Sequence, residues 1–250
     1  MTRILLSGAC GKMGHVIQNI VAGREDCEIV AGVDKYNDNK CDFPVYAHIS
    51  DVTENVDVVI DFSNPALLDD LLNYGNSKNV ALVIATTGFD DCQKKKIEEA
   101  SKKSPIFFTY NMSMGINLLA NLAKKAVNVL GDDFDVEIVE QHHNQKIDAP
   151  SGTALMLADA IAEEFDKPMK YEYDRHSKRE KRTKDEIGIH SVRGGTIVGE
   201  HEIIFAGRDE IITLSHSARS KEIFAVGAVN AAIYVAGKPA GLYDMSELIK

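Results

Sequence analysis

The sequence predicts an α/β protein in two parts: a parallel sheet covered by helices, and a second α/β domain with a mixed, open sheet. In the first part, short apolar runs alternate with segments of helical period, which is typical of parallel strands joined by crossover helices. In the second part, strands follow one another across Gly-rich turns. A late helix, about Lys221–Val235, is apolar enough to be buried, and we expect it to pack on the first domain. We therefore expect one domain from residues 1–112 and 221–250, and another from 113–220.

Composition narrows the class of protein. The 250 residues carry a formal net charge of -10, which argues against a general nucleic-acid binder. The four cysteines contain no C-x-x-C pair, so we expect neither a disulfide framework nor a zinc knuckle. The chain starts without the apolar run of a signal peptide, and no later run approaches the roughly 18 apolar residues of a membrane span. We expect a cytoplasmic protein that binds neither nucleic acid nor membrane.

The first β-α-β unit predicts a dinucleotide site. The strand Ile4–Leu6 leads into a glycine-rich turn, a helix and a second strand that ends at Asp34. Glycines let the backbone approach a pyrophosphate, and the helix N-terminus stabilises its charge, as in a Rossmann-type domain. Asp34 follows Gly14 by about 20 residues, where an acid accepts from ribose hydroxyls. Lys35 could pair with a 2′-phosphate or simply be solvated. Because Cys10 replaces the middle glycine, a tight turn without a ligand is an alternative.

Two later strand ends and one basic cluster add candidates. Thr86–Gly88 and Tyr110–Asn111 follow apolar strands, whose ends form the ligand edge of an open α/β sheet. They are candidate walls for a nicotinamide, although turn and cap roles are equally compatible with these residues. The basic cluster Tyr173–Lys184 is interpreted as solvated surface, with steering of an anionic substrate or a subunit contact as alternatives.

The segment Glu140–Ala154 is predicted to be a functional loop. It has no hydrophobic period, yet it is dense in titratable groups. A metal site on its two histidines, His142 and His143, would need further ligands, and no metal-binding spacing supports it. A hydrolase triad of Ser151, His142 and Asp148 would lack the usual nucleophile elbow, and Ser151 is better explained as a helix cap. The third possibility is anion recognition combined with acid–base chemistry.

That third possibility uses most of the segment. The start of the following helix, at Gly152 and Thr153, offers N–H groups and a hydroxyl to a carboxylate. Lys146 and His143 add positive charge or donors, and His142 titrates near neutral pH. Beside a nicotinamide domain, this favours hydride transfer to an anionic substrate. Surface or core histidines next to a helix cap are the structural alternative.

The run from Glu140 to Ala154 resembles the signature of the 4-hydroxy-tetrahydrodipicolinate reductase (dihydrodipicolinate reductase) family. The resemblance extends over nearly the whole chain, including Gly8–Gly14, Ala85–Gly88, Asn111–Asn117, Val192–Gly195, Ile197–His201 and Gly237–Met245. It implies a homotetramer and a small dicarboxylate substrate. It also implies NADH or NADPH as hydride donor for the step that yields tetrahydrodipicolinate in lysine and diaminopimelate biosynthesis.

The resemblance also implies residue roles. His142 would be the acid/base residue and Lys146 the second proton donor, while His143, Gly152 and Thr153 would hold the substrate carboxylates. Cofactor contacts would come from Gly8, Ala9, Cys10, Gly11, Lys12, Met13, Asp34, Lys35, Ala85, Thr86, Thr87, Thr109, Tyr110, Asn111 and Met112. The chain departs from the family pattern at Cys10 and at Thr109–Tyr110, and Asp34–Lys35 leaves the choice between NADH and NADPH open. The alternatives are another two-domain NAD(P)-dependent dehydrogenase of a small anionic substrate and a non-catalytic dinucleotide-sensing module.

Overall fold

The computed structural model describes residues 1–37 and 40–248 and forms two compact units. The first unit contains Met1–Met114 and Glu222–Lys250, and the second contains Gly115–Lys221. Each unit combines one sheet with helices, which confirms the predicted α/β fold class. Among the described residues, no helix combines the length and the apolar character needed to span a membrane.

Seven parallel strands form the sheet of the first unit. They are β1 (Thr2–Ser7), β2 (Cys27–Val33), β3 (Val45–Tyr46), β4 (Val58–Asp61), β5 (Ala81–Ile84), β6 (Pro105–Phe108) and the late strand β12 (Gly241–Tyr243). Their order is β12-β6-β5-β4-β1-β2-β3. The winding therefore reverses between β1 and β4, which is the switch point where Rossmann-type sheets bind their ligands.

Helices cover both faces of this sheet. They are α1 (Lys12–Ala22), α2 (Leu68–Lys78), α3 (Asp91–Ser101) and α6 (Glu222–Val235). One buried cluster contains side chains of α1 and α6, and the other contains side chains of α2 and α3. Burial on both faces explains why β5 is apolar throughout. The late helix α6 packs on α1 and on the central strands, as its apolar sequence predicts.

Local sequence signals set the helix starts in this unit. The pair Asn64-Pro65 is typical of a helix start, and Asn64 accepts a hydrogen bond from Ala66 N (2.9 Å). A short 3₁₀ turn separates this cap from α2. Asp90 and Gln93 form a reciprocal capping box at the start of α3.

The second unit has a five-stranded mixed sheet. Its strands are β7 (Asp135–His142), β8 (Lys170–Glu172), β9 (Glu186–Arg193), β10 (Gly199–Ala206) and β11 (Ile211–Ala218), in the order β11-β10-β7-β9-β8. Strand β7 lies at the centre, antiparallel to β10 and parallel to β9. The helices α4 (Met114–Leu130) and α5 (Gly152–Ala162) contribute to one core with the inward side chains of the sheet.

The structure corrects one predicted element that matters for the site. The segment Glu140–Ala154 was expected to be a loop, but β7 continues through His142. Inward and outward positions alternate along this strand, and Glu140 occupies an inward position that an apolar residue would normally take. The alternation over Phe134–Glu140 predicts a strand that ends at Glu140, and the structure extends it by Gln141 and His142. The loop therefore begins only at His143.

Candidate active site

The glycine-rich turn after β1 is shaped by close backbone approaches. Gly8 has φ +81°, and a Cβ there would lie 2.6 Å from the carbonyl oxygen of Phe62. At Gly14, a Cβ would lie 2.2 Å from the carbonyl oxygen of Ala9. Gly11 precedes α1, whose start has no side-chain cap and no acidic residue in its first turn. These features fit a loop whose backbone N–H groups hold a phosphate.

Asp34 joins this turn to the end of β2. Its carboxylate accepts from Cys10 N (2.9 Å) and from Tyr36 N (3.1 Å). Lys35 is exposed, with its Nζ 5.9 Å from the centre of the Tyr36 ring. The structure thus brings the predicted acid, Asp34, to the predicted phosphate turn.

The next strand ends contain a carboxylate that sequence reasoning missed. Asp61, at the end of β4, is 3% exposed and accepts from Ser63 Oγ (2.5 Å) and Thr86 Oγ1 (2.7 Å). The same Thr86 oxygen accepts from Ser63 N (2.9 Å). Burial raises the pKa of Asp61, and the hydroxyl donors oppose that rise. The Thr86 hydroxyl, predicted to face a cofactor, is therefore engaged inside the protein.

The remaining predicted cofactor residues differ in exposure. Thr87 is exposed, and Tyr110 is exposed beside Phe108 and the amine of Lys94. Asn111 is buried, and its Oδ1 accepts from Ser113 N (2.8 Å). The others, Ala85, Thr109 and Met112, are partly or fully buried.

In the second unit, the end of β7 carries a buried carboxylate bonded to a histidine and an arginine. Glu140 is fully buried, and its Oε2 lies 2.6 Å from His142 Nδ1. Arg193, on β9, binds both carboxylate oxygens, with Nη1 2.8 Å from Oε2 and Nη2 2.7 Å from Oε1. The parallel register of β7 and β9 pairs His142 with Arg193, which positions this contact.

This arrangement fixes the charge of Glu140 and the tautomer of His142. Burial alone would raise the pKa of Glu140, but hydrogen bonds, that from Arg193 first, lower it to about 2. An ionised carboxylate only accepts, so His142 Nδ1 carries a hydrogen and Nε2 is the atom free to exchange a proton. Burial lowers the pKa of His142, Glu140 opposes this effect, and the charges of Lys146 and Arg193 add to it. His142 is therefore poised as a neutral imidazole near pH 7.

The start of α5 is built onto the same carboxylate. Ser151 N donates to Glu140 Oε1 (3.1 Å), while Ser151 Oγ accepts from Ala154 N (3.1 Å) and thereby caps the helix, as predicted. The hydroxyl also lies 3.1 Å from His201 Nε2. His201 is 4% exposed, and its ring centre is 5.3 Å from that of His142. Burial, followed by the nearby charge of His142, lowers the pKa of His201 to about 4.

The loop between His142 and α5 carries the predicted lysine. Lys146 Nζ lies 2.8 Å from Asp148 Oδ2, and this bond lowers the pKa of Asp148. His143 is partly exposed, Gly152 is exposed, and a Cβ on Gly152 would meet no atom within 4 Å. The helix start is thus accessible at Gly152.

The geometry excludes the hydrolase alternative. His142 faces Glu140, whereas Asp148 pairs with Lys146 and Ser151 caps α5 beside His201, so the three residues form no triad. Over residues 1–37 and 40–248, no group of three or more His, Cys, Asp or Glu side chains is arranged to hold a metal ion.

The basic segment Tyr173–Lys184 does not present free positive charge as a block. Four of its cations pair with carboxylates of the same unit: Arg175 with Glu186, Lys178 with Glu172, Arg182 with Asp135 and Glu137, and Lys184 with Asp135. Much of the positive charge of this segment is therefore used in ion pairs within the second unit.

Comparison with known protein families places these features in context. Residues 2–112 match the family model for the N-terminus of dihydrodipicolinate reductase, and residues 115–249 match the model for its C-terminus. The chain belongs to the dihydrodipicolinate reductase family. A 4-hydroxy-tetrahydrodipicolinate reductase of Caldanaerobacter subterraneus subsp. tengcongensis is 51% identical over all of this chain and 99% of its own length. One of Clostridium novyi is 48% identical with the same coverage.

Solved structures agree with this family assignment. A dipicolinate-bound dihydrodipicolinate reductase from Paenisporosarcina sp. TG-14 matches with a TM-score of 0.82 and 28% identity over 100% of both chains. A myo-inositol dehydrogenase from Corynebacterium glutamicum has a TM-score of 0.60 at 15% identity, over 94% of this chain and 87% of its own, and shows a shared fold only. Dihydrodipicolinate reductases use NADH or NADPH, and the dinucleotide-binding domain of the family is present here.

Sequence reasoning missed three groups of the second-unit site. Glu140, Arg193 and His201 lie within the motifs that carry the family resemblance, but no role was predicted for their side chains. One signal was available for Glu140: it replaces an apolar residue at an inward position of an alternating strand. A buried carboxylate requires a partner, and that requirement points to a nearby cation.

Proposed function

We propose that this chain is an active 4-hydroxy-tetrahydrodipicolinate reductase in which the two units divide the work. The first unit holds NADH or NADPH, and the second binds the dicarboxylate substrate and transfers the proton. The product is tetrahydrodipicolinate, formed by way of dihydrodipicolinate in lysine biosynthesis through diaminopimelate. The observation that carries the proposal is the contact between His142 Nδ1 and Glu140 (2.6 Å) beside the start of α5, in a chain that matches the family throughout.

In the first unit, we assign the turn Gly8–Met13 to the pyrophosphate and Asp34 to a ribose hydroxyl. The close approaches at Gly8 and Gly14 support this assignment, because a Cβ at either position would collide with the backbone. When bound, the dinucleotide supplies the hydride. We assign Lys35 to a 2′-phosphate because it is exposed directly after Asp34. Of the strand-end residues, the exposed Thr87 and Tyr110 are the side chains best able to line a nicotinamide pocket.

In the second unit, we assign substrate carboxylates to His143, Gly152 and Thr153. The open surface at Gly152 and the N–H groups of the helix start support this role. His142 then exchanges a proton at Nε2, since its Nδ1 is held by Glu140. Lys146 is the second proton donor and supplies positive charge near a substrate with two negative charges.

A paired kinetic assay tests this function. The full-length chain is given freshly generated product of the preceding synthase step, and oxidation of NADH and of NADPH is followed separately. We expect turnover with at least one cofactor, and none in a folded sample would refute the proposal. His142→Gln should lower kcat by roughly 10²- to 10⁴-fold with little change in KM, because general acid–base catalysis acts on the transition state. His190→Gln is the matched control, since His190 bonds to Glu137 on the opposite face of the same sheet. An effect confined to KM would reassign His142 to binding.

We also propose that the reductase works as a homotetramer in the cytoplasm. One face of the five-stranded sheet is not covered by α4 or α5, and its strands carry half-exposed residues there, which include Val139 and Ile204. The four cysteines are free thiols, in keeping with a reducing compartment. Light scattering on the purified chain measures the assembly, and a monomeric mass at working concentration would contradict it.

A further inference from the structure

We propose that Glu140 and Arg193 form a positioning pair that orients the proton-transfer histidine and the carboxylate-binding helix start through one buried carboxylate. This inference rests on the proposed function, because the orientation of His142 affects the reaction only if His142 transfers a proton. Neither residue touches the reacting atoms in this scheme. They act through His142 and through the first turn of α5.

The Glu140 carboxylate is held at both oxygens and has no freedom to rotate. Its Oε1 accepts from Ser151 N and Arg193 Nη2, and its Oε2 accepts from Arg193 Nη1 and is bonded to His142 Nδ1. The Ser191 side chain also hydrogen-bonds to this carboxylate. A carboxylate offers about four acceptor sites, so these partners use all of them. The side chain cannot rotate without breaking at least two bonds in a place without solvent.

The bonds from Glu140 to His142 and to Ser151 N each affect a group of the proposed site. The bond to His142 fixes the tautomer with Nδ1 protonated, so Nε2 is the nitrogen that holds the lone pair or the exchanged proton. The bond to Ser151 N fixes the residue that caps α5, one position before Gly152. A shift of Glu140 would therefore move the proton-transfer atom and the carboxylate-binding N–H groups together.

Arg193 stabilises the buried carboxylate of Glu140. A carboxylate in this buried place without a cation would be strongly destabilising, and the positive charge of Arg193 offsets that cost. Its Nη2 also donates to the carbonyl oxygen of Asp148 (2.6 Å), and its Nη1 to that of Val192 (2.7 Å). Because Asp148 pairs with Lys146, Arg193 also anchors the loop that carries the second proposed proton donor.

The same strand supplies a matched control. Three residues before Glu140, and on the opposite face of the sheet, Glu137 bonds to Arg182 Nε (2.9 Å) and to His190 Nε2 (2.8 Å). This second cluster has the same three residue types but lies away from α5 and from the loop. Changes there should disturb the strand without changing His142.

The test is an ¹⁵N NMR titration of the histidine rings in the full-length chain, with the His142 signals assigned by their loss in His142→Gln. In the unaltered protein we expect the Nδ1-protonated tautomer of neutral His142. Finding the Nε2-protonated tautomer would overturn the proposal without any variant of the pair. This measurement does not depend on turnover, so it separates failure of the pair from failure of the proposed function.

Variants of the pair should move the pKa of His142 in opposite directions. The charged or titratable groups around His142 are Glu140, Lys146, Arg193 and His201. Glu140→Gln removes the negative charge that raises the pKa of His142, so that pKa should fall. Arg193→Met removes a positive charge that lowers this pKa and leaves protonated His142 as the cation that the buried Glu140 carboxylate can pair with, so the pKa of His142 should rise. Arg193→Lys keeps the charge and should leave the pKa of His142 close to its original value. This variant also serves as the test of Arg193 if Arg193→Met does not fold.

Glu140→Gln should also change the tautomer and the kinetics. The NH₂ of the new amide can take the place of either carboxylate oxygen. In the place of Oε1 it would face two donors, Ser151 N and Arg193 Nη2, so it takes the place of Oε2, beside Arg193 Nη1 and His142. His142 then accepts a hydrogen bond at Nδ1. We expect kcat to fall on the order of 100-fold with KM changed by less than about threefold, since the oxygen facing Ser151 is retained. Glu137→Gln and Arg182→Met should alter neither the tautomer nor kcat. Equal effects from both clusters, or pKa shifts of the same sign in Glu140→Gln and Arg193→Met, would reduce the pair to a structural role.

Discussion

Replacing Ser151 by alanine should destabilise the second unit by more than a lost helix cap. The hydroxyl caps α5 through Ala154 N (3.1 Å), and loss of such a cap costs about 1 kcal/mol. It is also the partner of His201 Nε2 (3.1 Å), a ring that is 4% exposed and whose Nδ1 has no partner in the described part of the chain. Leaving Nε2 of His201 unpaired as well adds roughly 1–3 kcal/mol. The expected total is roughly 2–4 kcal/mol.

Urea unfolding followed by far-UV circular dichroism measures this loss, because the chain has no tryptophan for fluorescence. Hydrogen exchange at the Ala154 amide gives the local value for α5. The matched control is Asn64→Ala, an exposed cap in the first unit whose loss should cost about 1 kcal/mol. In a His201→Leu background, Ser151→Ala should cost only the cap term. Equal losses in Ser151→Ala and Asn64→Ala, or the same loss with and without His201, would refute the reasoning.

Three further predictions concern single positions. Burial raises the pKa of Asp61, so stability is lost as pH rises through that raised pKa and the carboxyl ionises inside the protein. Asp61→Asn should therefore increase the midpoint of thermal unfolding at pH 8. The increase should become smaller toward pH 4, where the carboxyl is protonated. Gly227→Ala should destabilise the first unit by roughly 3 kcal/mol or more in urea unfolding, because the new Cβ would lie 1.8 Å from the carbonyl oxygen of Met112, and a neutral result would contradict the packing of α6. Gly199→Ala places a methyl 3.1 Å from His142 Nε2, so kcat should fall while the unfolding midpoint changes little; an unchanged kcat would mean that Nε2 is not the proton-transfer atom.

Much of the first unit was predictable because its signals are local. The glycine turn, the continuous apolar strands and the Asn-Pro cap each lie within a few residues, and each has a direct steric or burial cause. The strands β3 and β12 were not predicted, because runs of two and three residues carry no measurable period. Their place at the two edges of the sheet depends on pairing with distant strands, which local sequence does not encode.

The site of the second unit was predictable only in part. The dense segment indicated His142, Lys146 and the cap at Ser151, because those residues are close together in sequence. The partners that complete the site are distant: Arg193 lies 53 residues from Glu140, and His201 lies 50 residues from Ser151. Spacing alone cannot pair such residues, since the strand register of β7, β9 and β10 brings them together.

The central position of β7 has a consequence for how this enzyme can change. A strand held on both sides by hydrogen bonds opens only with its whole sheet, so Glu140 and His142 stand on the part of the unit that fluctuates least. The neighbouring residues 143–150 belong to a surface connection that tolerates replacement far better. The proton exchange proposed for His142 therefore lies on the strand, whereas the proposed second donor, Lys146, and the proposed carboxylate contact, His143, lie in the connection. A laboratory programme seeking new substrates should vary the connection at positions other than His143 and Lys146, and leave the strand unaltered.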